Sequence, residues 1–319
     1  MANTHMLGST GMVIPRLCFG GNVLGWTADA GVSFQLLDRL MARGFNFVDT
    51  ADVYSRWAPG HKGGESEMVL GEWMRQRKNR GKVIVATKVG MDMGEGKKGL
   101  KKEYILRAAE DSLGRLQTDY IDLYQSHQDD KETPLEETLR AYEQLIKQGK
   151  VRHVGASNYS GERLSEALKV SGEKKLPRYE TLQPLYNLYD RGEFERDLQP
   201  VCEREGVAVI PYFSLAAGFL TGKYRSEADL GKSWRGTGIG KKYLNPRGMK
   251  VLAGLDAVAK RVNATQGQVA LAWLLTRKTI AAPIASATNL EQLDQLLAGV
   301  ELKLDGEVLK MLEEASAGG

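Results

Sequence analysis

Residues 119–158, DYIDLYQSHQDDKETPLEETLRAYEQLIKQGKVRHVGASN, contain one complete strand–helix–strand unit. The short runs IDLYQ and RHVGA are typical of strands that are buried on both faces. Between them, Thr133 as N-cap, Pro134 as first helical residue and Glu136 as capping-box partner predict the start of a helix. Gly149 is typical of the residue that follows a helix. Because strands joined by a helical crossover run parallel, this unit predicts a parallel sheet.

The same unit recurs eight times along the chain. Strands are predicted at residues 15–19, 45–49, 83–87, 121–125, 152–156, 180–183, 207–211 and 280–284. Helices are predicted to follow them at residues 29–43, 65–78, 102–116, 134–148, 160–170, 193–205, 266–277 and 289–298. Further helix-boundary signals are Gly44 and the capping pairs Thr265–Gln268 and Thr288–Glu291. Eight such units predict an α/β fold of the TIM (β/α)8-barrel type, with a doubly wound open sheet as the alternative.

Three segments lie outside the eight units. Residues 5–12, HMLGSTGM, predict an N-terminal β-hairpin that covers the floor of the barrel. Residues 225–249, rich in Gly, Lys and Arg, predict a long loop after the seventh strand. From Asp305 onward the pattern predicts one extra C-terminal helix. Since no linker interrupts the pattern, residues 1–319 are expected to form a single domain.

Composition narrows the class of protein. The 319 residues include 44 Lys and Arg against 40 Asp and Glu, a net charge of +4. A surplus so small and so evenly spread indicates no nucleic-acid partner. No apolar run approaches the roughly 18 residues of a membrane span, and the N-terminus lacks a signal-peptide core. Cys18 and Cys202 stand far apart, which is typical of a reducing compartment, so we expect a cytoplasmic protein without a membrane partner. The oligomeric state stays open.

Two patterns that could indicate a binding site, a glycine-rich motif and the histidines, lack the context or spacing that such a site needs. Gly94–Gly99, GEGKKG, has the spacing of a dinucleotide fingerprint, but that fingerprint directly follows a strand and opens a helix. Here the third strand is predicted to end near Lys88, six residues before the motif, and the next helix to begin near residue 102. A solvated loop is therefore favoured. The four histidines show no metal-ligand spacing, so no metal site is predicted.

Four polar residues are expected at the carboxyl ends of the strands, where barrel enzymes have their active sites: Asp49, Tyr54, Lys88 and His127. A buried Lys and Asp on adjacent strands are costly unless they pair. A phenol beside an ammonium is expected to have a lowered pKa, which makes it a better proton donor. The set fits acid-assisted carbonyl reduction, with the proton from Tyr54 and a hydride from a cofactor. A Schiff base on Lys88 is the alternative.

Longer motifs occur in a fixed order along the chain. They are Gly44–Tyr54, Gly64–Glu67, Leu70–Gly71, Val85–Lys88, Ser112–Leu116, Asp119–Tyr124, Gly149–Arg152, Gly155–Asn158 and Leu220–Tyr224. With these motifs the sequence resembles the aldo-keto reductase superfamily over nearly its whole length. It is most similar to the bacterial branch that also contains the potassium-channel β-subunits. The resemblance implies that Asp49, Tyr54, Lys88 and His127 are the catalytic residues.

The resemblance also implies a nicotinamide cofactor. Its implied contacts are Ser157, Asn158 and Gln183 on the carboxamide, Tyr212 stacked on the ring, Gly21 and Asn22 beside cofactor and substrate, and Leu215 and Lys223 on the pyrophosphate side. Amide and hydroxyl groups would fix the ring face, while an aromatic plate and a cation hold the rest.

The run after the eighth strand departs from the family pattern. Ser286, Asn289 and Gln292 are the implied cofactor contacts there, but Ser286 and Gln292 stand where the family often has cations for the 2′-phosphate of NADP. A helix start still offers N–H groups to a phosphate. NADP(H) is therefore expected, with NAD(H) as the alternative.

Three tryptophans fall in the predicted rim loops. Trp26, Trp57 and Trp234 are candidate contacts for a small-molecule carbonyl substrate, with plain packing as the alternative for each. The likeness to channel subunits leaves a second function open, that of a redox-sensing or subunit-like protein that holds the cofactor and turns over little.

Overall fold

Eight parallel strands curl into a barrel in the computed structural model, which describes residues 4–318. A two-stranded hairpin, β1 (Thr4–Met6) and β2 (Val13–Pro15), precedes them. The barrel strands are β3 (Cys18–Gly20), β4 (Phe47–Asp49), β5 (Ile84–Val89), β6 (Ile121–Ser126), β7 (Val151–Ser157), β8 (Tyr179–Gln183), β9 (Ala208–Val209) and β10 (Ile284–Ala285). They pair in chain order, and β10 pairs with β3. Val209 exchanges backbone hydrogen bonds with Thr279 and Ala281, which joins β9 to the segment before β10. The barrel prediction is confirmed.

A helix follows each barrel strand on the outside. The helices are α1 (Ala30–Ala42), α2 (Glu65–Arg77), α3 (Lys102–Leu116), α4 (Leu135–Lys147), α5 (Gly161–Lys174), α6 (Gln199–Glu205), α7 (Gly236–Tyr243), α8 (Pro246–Arg261), α9 (Gln266–Leu275), α10 (Leu290–Glu301) and α11 (Gly306–Ser316). A π-helical turn, Phe194–Leu198, leads into α6. The predicted C-terminal helix is confirmed as α11.

The pleat of the strands sorts side chains between the barrel interior and the helices. On β6, Leu123 packs inside the barrel, while Tyr124 packs in the larger core between strands and helices. Phe47 and Ala86 share the interior layer with Leu123. Because side chains alternate along a strand, the residues two positions further on point to the same interior, one layer nearer the carboxyl ends. Those positions are Asp49, Lys88 and Gln125.

The N-terminal hairpin closes the opposite end of the barrel, as predicted. Leu7 follows β1 and Ile14 lies on β2, and both are completely buried. They pack in the same interior cluster as Phe47 and Leu123. The hairpin therefore completes the apolar floor beneath the polar layer.

The segment 225–249 differs from the predicted loop. It contains a turn of 3-10 helix at Glu227–Lys232, all of α7 and the start of α8. Asn245 caps α8 by accepting a hydrogen bond from the backbone N–H of Gly248, and Pro246 follows the cap. These helices were not predicted because glycine, a poor helix former, is frequent in the segment. The eighth strand is also shorter and later than the predicted 280–284.

Two of the predicted caps are wrong. Thr133 does not cap α4; its hydroxyl donates to Asp130 instead. α10 is capped by Asn289, which accepts from the N–H of Gln292, and Thr288 lies outside the helix. The capping box of Thr265 and Gln268 is confirmed. So are Gly44 and Gly149, whose φ values of 80° and 71° lie in the left-handed region that favours glycine.

Other predictions concern features without regular structure. Gly94–Gly99 lies in a loop, and α3 begins only at Lys102, which confirms that the motif opens no helix. Among residues 4–318 no helix has the length and apolarity needed to cross a bilayer. The same residues contain no cluster of three metal-ligating side chains. Cys18 and Cys202 are free thiols, both buried.

Candidate active site

The four predicted catalytic residues meet at the carboxyl ends of neighbouring strands. Asp49 ends β4, Lys88 lies on β5, and His127 directly follows β6. Asp49 and Lys88 have no exposed surface, and His127 is 7% exposed. Tyr54 lies five residues past Asp49, in the turn that leaves β4, and is only half-buried. A polar layer thus stands on the apolar floor of the barrel.

Lys88 joins this layer through three hydrogen bonds. Its Nζ donates to Asp49 Oδ2 at 2.7 Å, to the carbonyl of Thr50 at 2.8 Å and to the phenol oxygen of Tyr54 at 2.8 Å. Tyr54 in turn donates to Asp49 Oδ2 at 3.1 Å. We call Asp49, Tyr54 and Lys88 the catalytic triangle. All three donors of the ammonium are used, so the lysine is fixed in place.

The expected fall in the pKa of Tyr54 is wrong for this arrangement. Burial raises the pKa of Tyr54 well above 10, and the adjacent carboxylate of Asp49 raises it further. The carboxylate both repels a phenolate and accepts the hydrogen bond of the neutral phenol. Lys88 cannot act alone on the phenol because Asp49 neutralises it. Tyr54 therefore holds its proton firmly across the physiological range.

His127 is a neutral imidazole beside the phenol. Its ring centroid lies 6.0 Å from that of Tyr54 at an interplanar angle of 70°. Burial, and next the charge of Lys88, hold the pKa of His127 well below 6.5. Its Nδ1 is buried and has no partner among the described residues. A neutral ring of this kind can donate one hydrogen bond to a carbonyl oxygen.

Asp49 is held from its other side by an amide. Gln183, at the end of β8, donates from Nε2 to Asp49 Oδ1 at 2.9 Å. The backbone carbonyl of Gln183 accepts from the hydroxyl of Ser157 at 2.8 Å. Two predicted cofactor residues are thereby connected to the catalytic triangle across the barrel mouth.

Asn158 and Tyr212 form the next part of the mouth. The Tyr212 hydroxyl donates to Asn158 Oδ1 at 2.9 Å, and Asn158 Nδ2 donates to the carbonyl of His127 at 2.8 Å. Asn158 has φ 55° and Phe213, next to Tyr212, has φ 52°. Left-handed conformations in non-glycine residues cost energy and are concentrated at functional sites.

The chain after Tyr212 keeps turning in the left-handed region. Ala216, Ala217 and Gly218 have φ values of 48°, 58° and 102°. Lys223 folds back across this turn, since a Cβ built on Gly218 would lie 3.6 Å from its Nζ. Leu215 begins the turn and packs against the core. The structure therefore brings Leu215 and Lys223 to the same side of the mouth.

The remaining predicted cofactor residues lie around β3 and β10. A Cβ on Gly21 would lie 2.8 Å from the carbonyl of Asp49, so no side chain fits there. Asn22 Oδ1 accepts from the hydroxyl of Ser286 at 2.7 Å. Asn289 is engaged as the cap of α10, and Gln292 Oε1 accepts from the N–H of Thr288 at 2.9 Å. The side chains of Asn289 and Gln292 thus hold their own loop, while Ser286 connects that loop to the segment after β3.

The three predicted substrate tryptophans come together beside Tyr54. The ring of Trp57 lies 6.0 Å from Tyr54 and 5.6 Å from Trp26, and Trp26 lies 4.6 Å from Trp234. Trp57 is 47% exposed and Trp234 is 58% exposed. Exposed indoles at the mouth of a barrel are available to contact a ligand.

The start of α2 ties the site to its surroundings. Ser66 donates to the carbonyl of Gly21 at 2.7 Å, and its hydroxyl lies 2.7 Å from that of Thr50. Glu67 accepts from Thr87 at 2.5 Å and from Arg115 at 2.7 Å. These contacts give a structural role to the Gly64–Glu67 motif. They fix the backbone on both sides of the catalytic triangle.

Comparison with known sequences agrees with this geometry. A sequence model of the Aldo/keto reductase family matches residues 16–317. The chain belongs to the aldo/keto reductase family. It is 34% identical to "Uncharacterized oxidoreductase YrpG" of Bacillus subtilis (strain 168), over 98% of this chain and 95% of that protein. It is 31% identical to "Aldo-keto reductase AFTS1" of Alternaria alternata, over 97% and 90%.

A channel-subunit relative is also present. This aldo/keto reductase is 29% identical to a "Putative voltage-gated potassium channel subunit beta" of Schizosaccharomyces pombe, over 97% of this chain and 92% of that protein. The predicted resemblance is thereby confirmed. Membership of the family makes the chain an oxidoreductase that uses NAD(P)H and acts on small carbonyl compounds.

Sequence reasoning missed two groups near the site of this aldo/keto reductase. Asp52 is 2% exposed, and neither of its carboxylate oxygens has a partner among the described residues. Burial, and next the charge of Glu67, raise the pKa of Asp52 to about 8. Arg235 lies beside Trp234 and Phe213. The position of Asp52 between two named motif residues, Asp49 and Tyr54, was the available signal.

Proposed function

We propose that this aldo/keto reductase reduces aldehydes and ketones to alcohols, with Tyr54 as the proton donor. The observation that carries the proposal is the catalytic triangle at the open end of the barrel. Its phenol is half-buried, receives a hydrogen bond from Lys88 at 2.8 Å and lies beside neutral His127. An acid, a group that stabilises its conjugate base and a second donor are what carbonyl reduction needs.

The polar mouth of the barrel fits a nicotinamide. Gln125 Oε1 is a buried acceptor that has no partner within residues 4–318, and buried polar atoms normally have one. The amide nitrogen of the same side chain lies 3.5 Å from Asp49 Oδ1, the oxygen that also accepts from Gln183. In this proposal Ser157, Asn158 and Gln183 bind the carboxamide, Tyr212 stacks on the ring, and Gly21 and Asn22 lie beside cofactor and substrate.

We propose NADP(H) as the cofactor, with NAD(H) as the second candidate. Lys223 and Leu215 would hold the pyrophosphate, because the left-handed turn brings the lysine across the backbone. Ser286, Asn289 and Gln292 would lie near the adenosine end. They offer hydroxyl and amide groups and no cation, which keeps NAD(H) in consideration.

The chemistry of the chain itself is proton transfer and charge stabilisation. A bound NAD(P)H supplies the hydride to the carbonyl carbon. The carbonyl oxygen gains the proton of the Tyr54 hydroxyl, which would turn from Asp49 toward it. Lys88 then donates to the resulting phenolate, and the proton is restored from solvent. His127 donates a hydrogen bond to the same carbonyl oxygen and polarises it.

The substrate site is proposed to lie on the tryptophan side of Tyr54. Trp26, Trp57 and Trp234 offer three indoles in mutual contact, two of them about half exposed. Such a surface favours aromatic or extended apolar carbonyl compounds. A cytoplasmic location and a single domain spanning residues 1–319 complete the proposal; the buried free thiols support the former.

The second candidate function is a redox-sensing or subunit-like protein with little turnover. The match to a named channel β-subunit favours it. An aldolase that uses Lys88 is not supported, because all three donors of its ammonium are engaged and it forms an ion pair with Asp49.

One experiment separates these functions. NADPH and NADH are titrated side by side into the protein while tryptophan fluorescence is recorded, and the tighter cofactor is then used with a panel of aromatic aldehydes. Turnover of the panel, followed by loss of absorbance at the nicotinamide band, supports the reductase. Tight cofactor binding without turnover of any aldehyde supports the subunit-like function instead.

A further inference from the structure

Arg235 stands at the mouth of the barrel, between the 3-10 turn Glu227–Lys232 and α7. Its guanidinium carbon lies 5.1 Å from the ring centroid of Trp234 and 5.8 Å from that of Phe213. The side chain is half-buried. It is therefore held against two aromatic rings that belong to opposite sides of the mouth.

The rings around Arg235 form a series in two halves, which the guanidinium connects. Tyr54 contacts Trp57, which contacts Trp26 and through it Trp234, whereas Phe213 contacts Tyr212 at 5.3 Å on the other side. We call this series the aromatic rim; it consists of Tyr54, Trp57, Trp26, Trp234, Phe213 and Tyr212. Arg235 connects the two halves of this rim at Trp234 and Phe213; one half leads to the proposed proton donor and the other to the proposed nicotinamide stacking residue.

Arg235 forms no ion pair with a carboxylate of residues 4–318. Within residues 4–318 no carboxylate oxygen lies within 4.0 Å of its guanidinium, and its side chain makes no hydrogen bond. The neighbouring Arg225, by contrast, forms a two-pronged ion pair with Asp256 at 2.7 and 2.8 Å. A guanidinium with five donors and no acceptor is costly to keep partly out of water.

The charge of Arg235 reaches the reacting centre. Burial lowers the pKa of Arg235 below its ordinary value, and its positive charge acts weakly against the rise in the pKa of Tyr54. Arg235 contacts Trp234, which is connected to Tyr54 through Trp26 and Trp57, so the guanidinium lies on the same rim as the phenol. A ligand whose carbonyl oxygen contacts Tyr54 would extend along the aromatic rim toward it.

We propose that Arg235 binds an anionic group of the substrate, so that the preferred substrates are carbonyl compounds carrying a carboxylate. This inference rests on the proposed reductase function and defines its substrate class. A planar carboxylate accepts two parallel hydrogen bonds from a guanidinium, which fixes the orientation of the substrate as well as adding affinity. The aromatic rim would contact the apolar part between the carbonyl and the carboxylate.

The test compares two aldehydes of nearly equal shape, 4-carboxybenzaldehyde and 4-carbamoylbenzaldehyde. We expect the full-length protein with NADPH to favour the carboxylate by about 10-fold or more in kcat/KM, since a hydrogen bond to a charged group is worth that factor. Arg235→Leu should remove the preference and leave the carbamoyl substrate within about threefold of its original value. Arg235→Lys should retain part of it, because it keeps the charge and loses the planar fork.

A matched control uses Lys241, an exposed cation in α7. Lys241→Leu changes the net charge by the same amount and should leave the preference for the carboxylate intact. Equal loss in both variants would overturn the proposal, because a general field and not a contact would then be responsible. A wild-type protein that prefers the carbamoyl aldehyde, or neither, would also overturn it.

A titration with NADPH tests whether Arg235 binds a phosphate of the cofactor instead of a carboxylate of the substrate. NADPH is titrated into Arg235→Leu by fluorescence, and its Kd should stay within about twofold of the wild-type value. If the Kd rises and both aldehydes lose activity equally, the guanidinium binds a cofactor phosphate and the proposal is wrong.

Failure of the reductase function is separable from failure of this inference. If the wild-type protein reduces neither aldehyde, 4-(hydroxymethyl)benzoate and its amide are titrated into the NADPH-loaded protein instead. Binding of the benzoate that Arg235→Leu abolishes would support the anion site even without turnover. Equal binding of both compounds, or none of either, would overturn it.

Discussion

The ammonium of Lys88 and the carboxylate of Asp49 form an ion pair of 2.7 Å in which neither side chain is exposed. Two opposite charges removed from water stabilise each other only while both are present. The carboxylate of this pair also accepts the hydrogen bond of the Tyr54 phenol, and after burial it is the next cause that raises the pKa of Tyr54, so the phenol keeps its proton.

Replacement of Tyr54 by Phe tests the proposed proton donor. Tyr54→Phe removes one hydroxyl from a half-buried ring and leaves Lys88 paired with Asp49. We expect kcat for aldehyde reduction to fall about 10²- to 10⁴-fold, the usual contribution of a general acid. Steady-state rates measure the loss, and a fluorescence titration should give an NADPH Kd within about twofold of wild type. Unchanged turnover would remove Tyr54 from the mechanism.

Removal of the ammonium tests the ion pair. Lys88→Met leaves the carboxylate of Asp49 buried without its counter-charge, and we expect a loss of about 3–5 kcal/mol in the free energy of unfolding. The double variant Lys88→Met/Asp49→Asn should regain most of that stability and stay inactive. Urea denaturation measures both. A single variant as stable as wild type would show that the carboxylate is not isolated as the structure indicates.

The pH dependence of reduction follows from Tyr54 and His127. Burial raises the pKa of Tyr54 above 10, and burial lowers the pKa of His127 below 6.5. Reduction needs the phenol protonated and the imidazole neutral, and both conditions hold between pH 6.5 and 9. We expect kcat with saturating NADPH to be flat across that window. A decrease centred between pH 7 and 9 would contradict the raised pKa.

Asp52 predicts a pH-dependent stability. Its folded pKa of about 8 exceeds the ordinary value of 3.8, so the folded protein binds an extra proton between the two. The contribution of Asp52 to the free energy of unfolding therefore falls as pH rises through that window. Asp52→Asn removes the ionisable group. The Tm of this variant relative to that of wild type should therefore rise from pH 5 to pH 9.

An exposed aspartate supplies the control for that measurement. Asp111, on α3, is exposed, and Asp111→Asn changes the charge by the same amount. Its Tm curve should run parallel to that of wild type from pH 5 to 9. If the Asp52→Asn curve is parallel as well, the carboxyl of Asp52 is not buried in its neutral form.

The sequence indicated the barrel and its polar layer because both depend on local patterns. Strand alternation places Asp49 two residues after Phe47, and Lys88 two residues after Ala86, so their interior position follows from the pleat. Helix boundaries given by Gly44 and Gly149 depend on one residue each. These features need no knowledge of distant contacts.

The features that escaped prediction depend on partners far along the chain. Burial and the carboxylate of Asp49 raise the pKa of Tyr54. The sequence predicted that Lys88 lies near the phenol, but it did not show how closely Lys88 pairs with Asp49. Arg235 lies next to Trp234 in sequence, but Phe213, its second aromatic contact, is 22 residues away. Glycine-rich composition concealed α7 and the start of α8, because a packed segment tolerates poor helix formers.

The N-terminal hairpin covers the floor of the barrel, at the end opposite the proposed active site. Leu7 and Ile14 are buried in the apolar floor, while the proposed catalytic residues lie at the carboxyl ends of the strands. We therefore expect substitutions of exposed hairpin residues to leave the substrate preference unchanged. A covalent label is accordingly best attached to the hairpin, at the end of the barrel remote from the mouth.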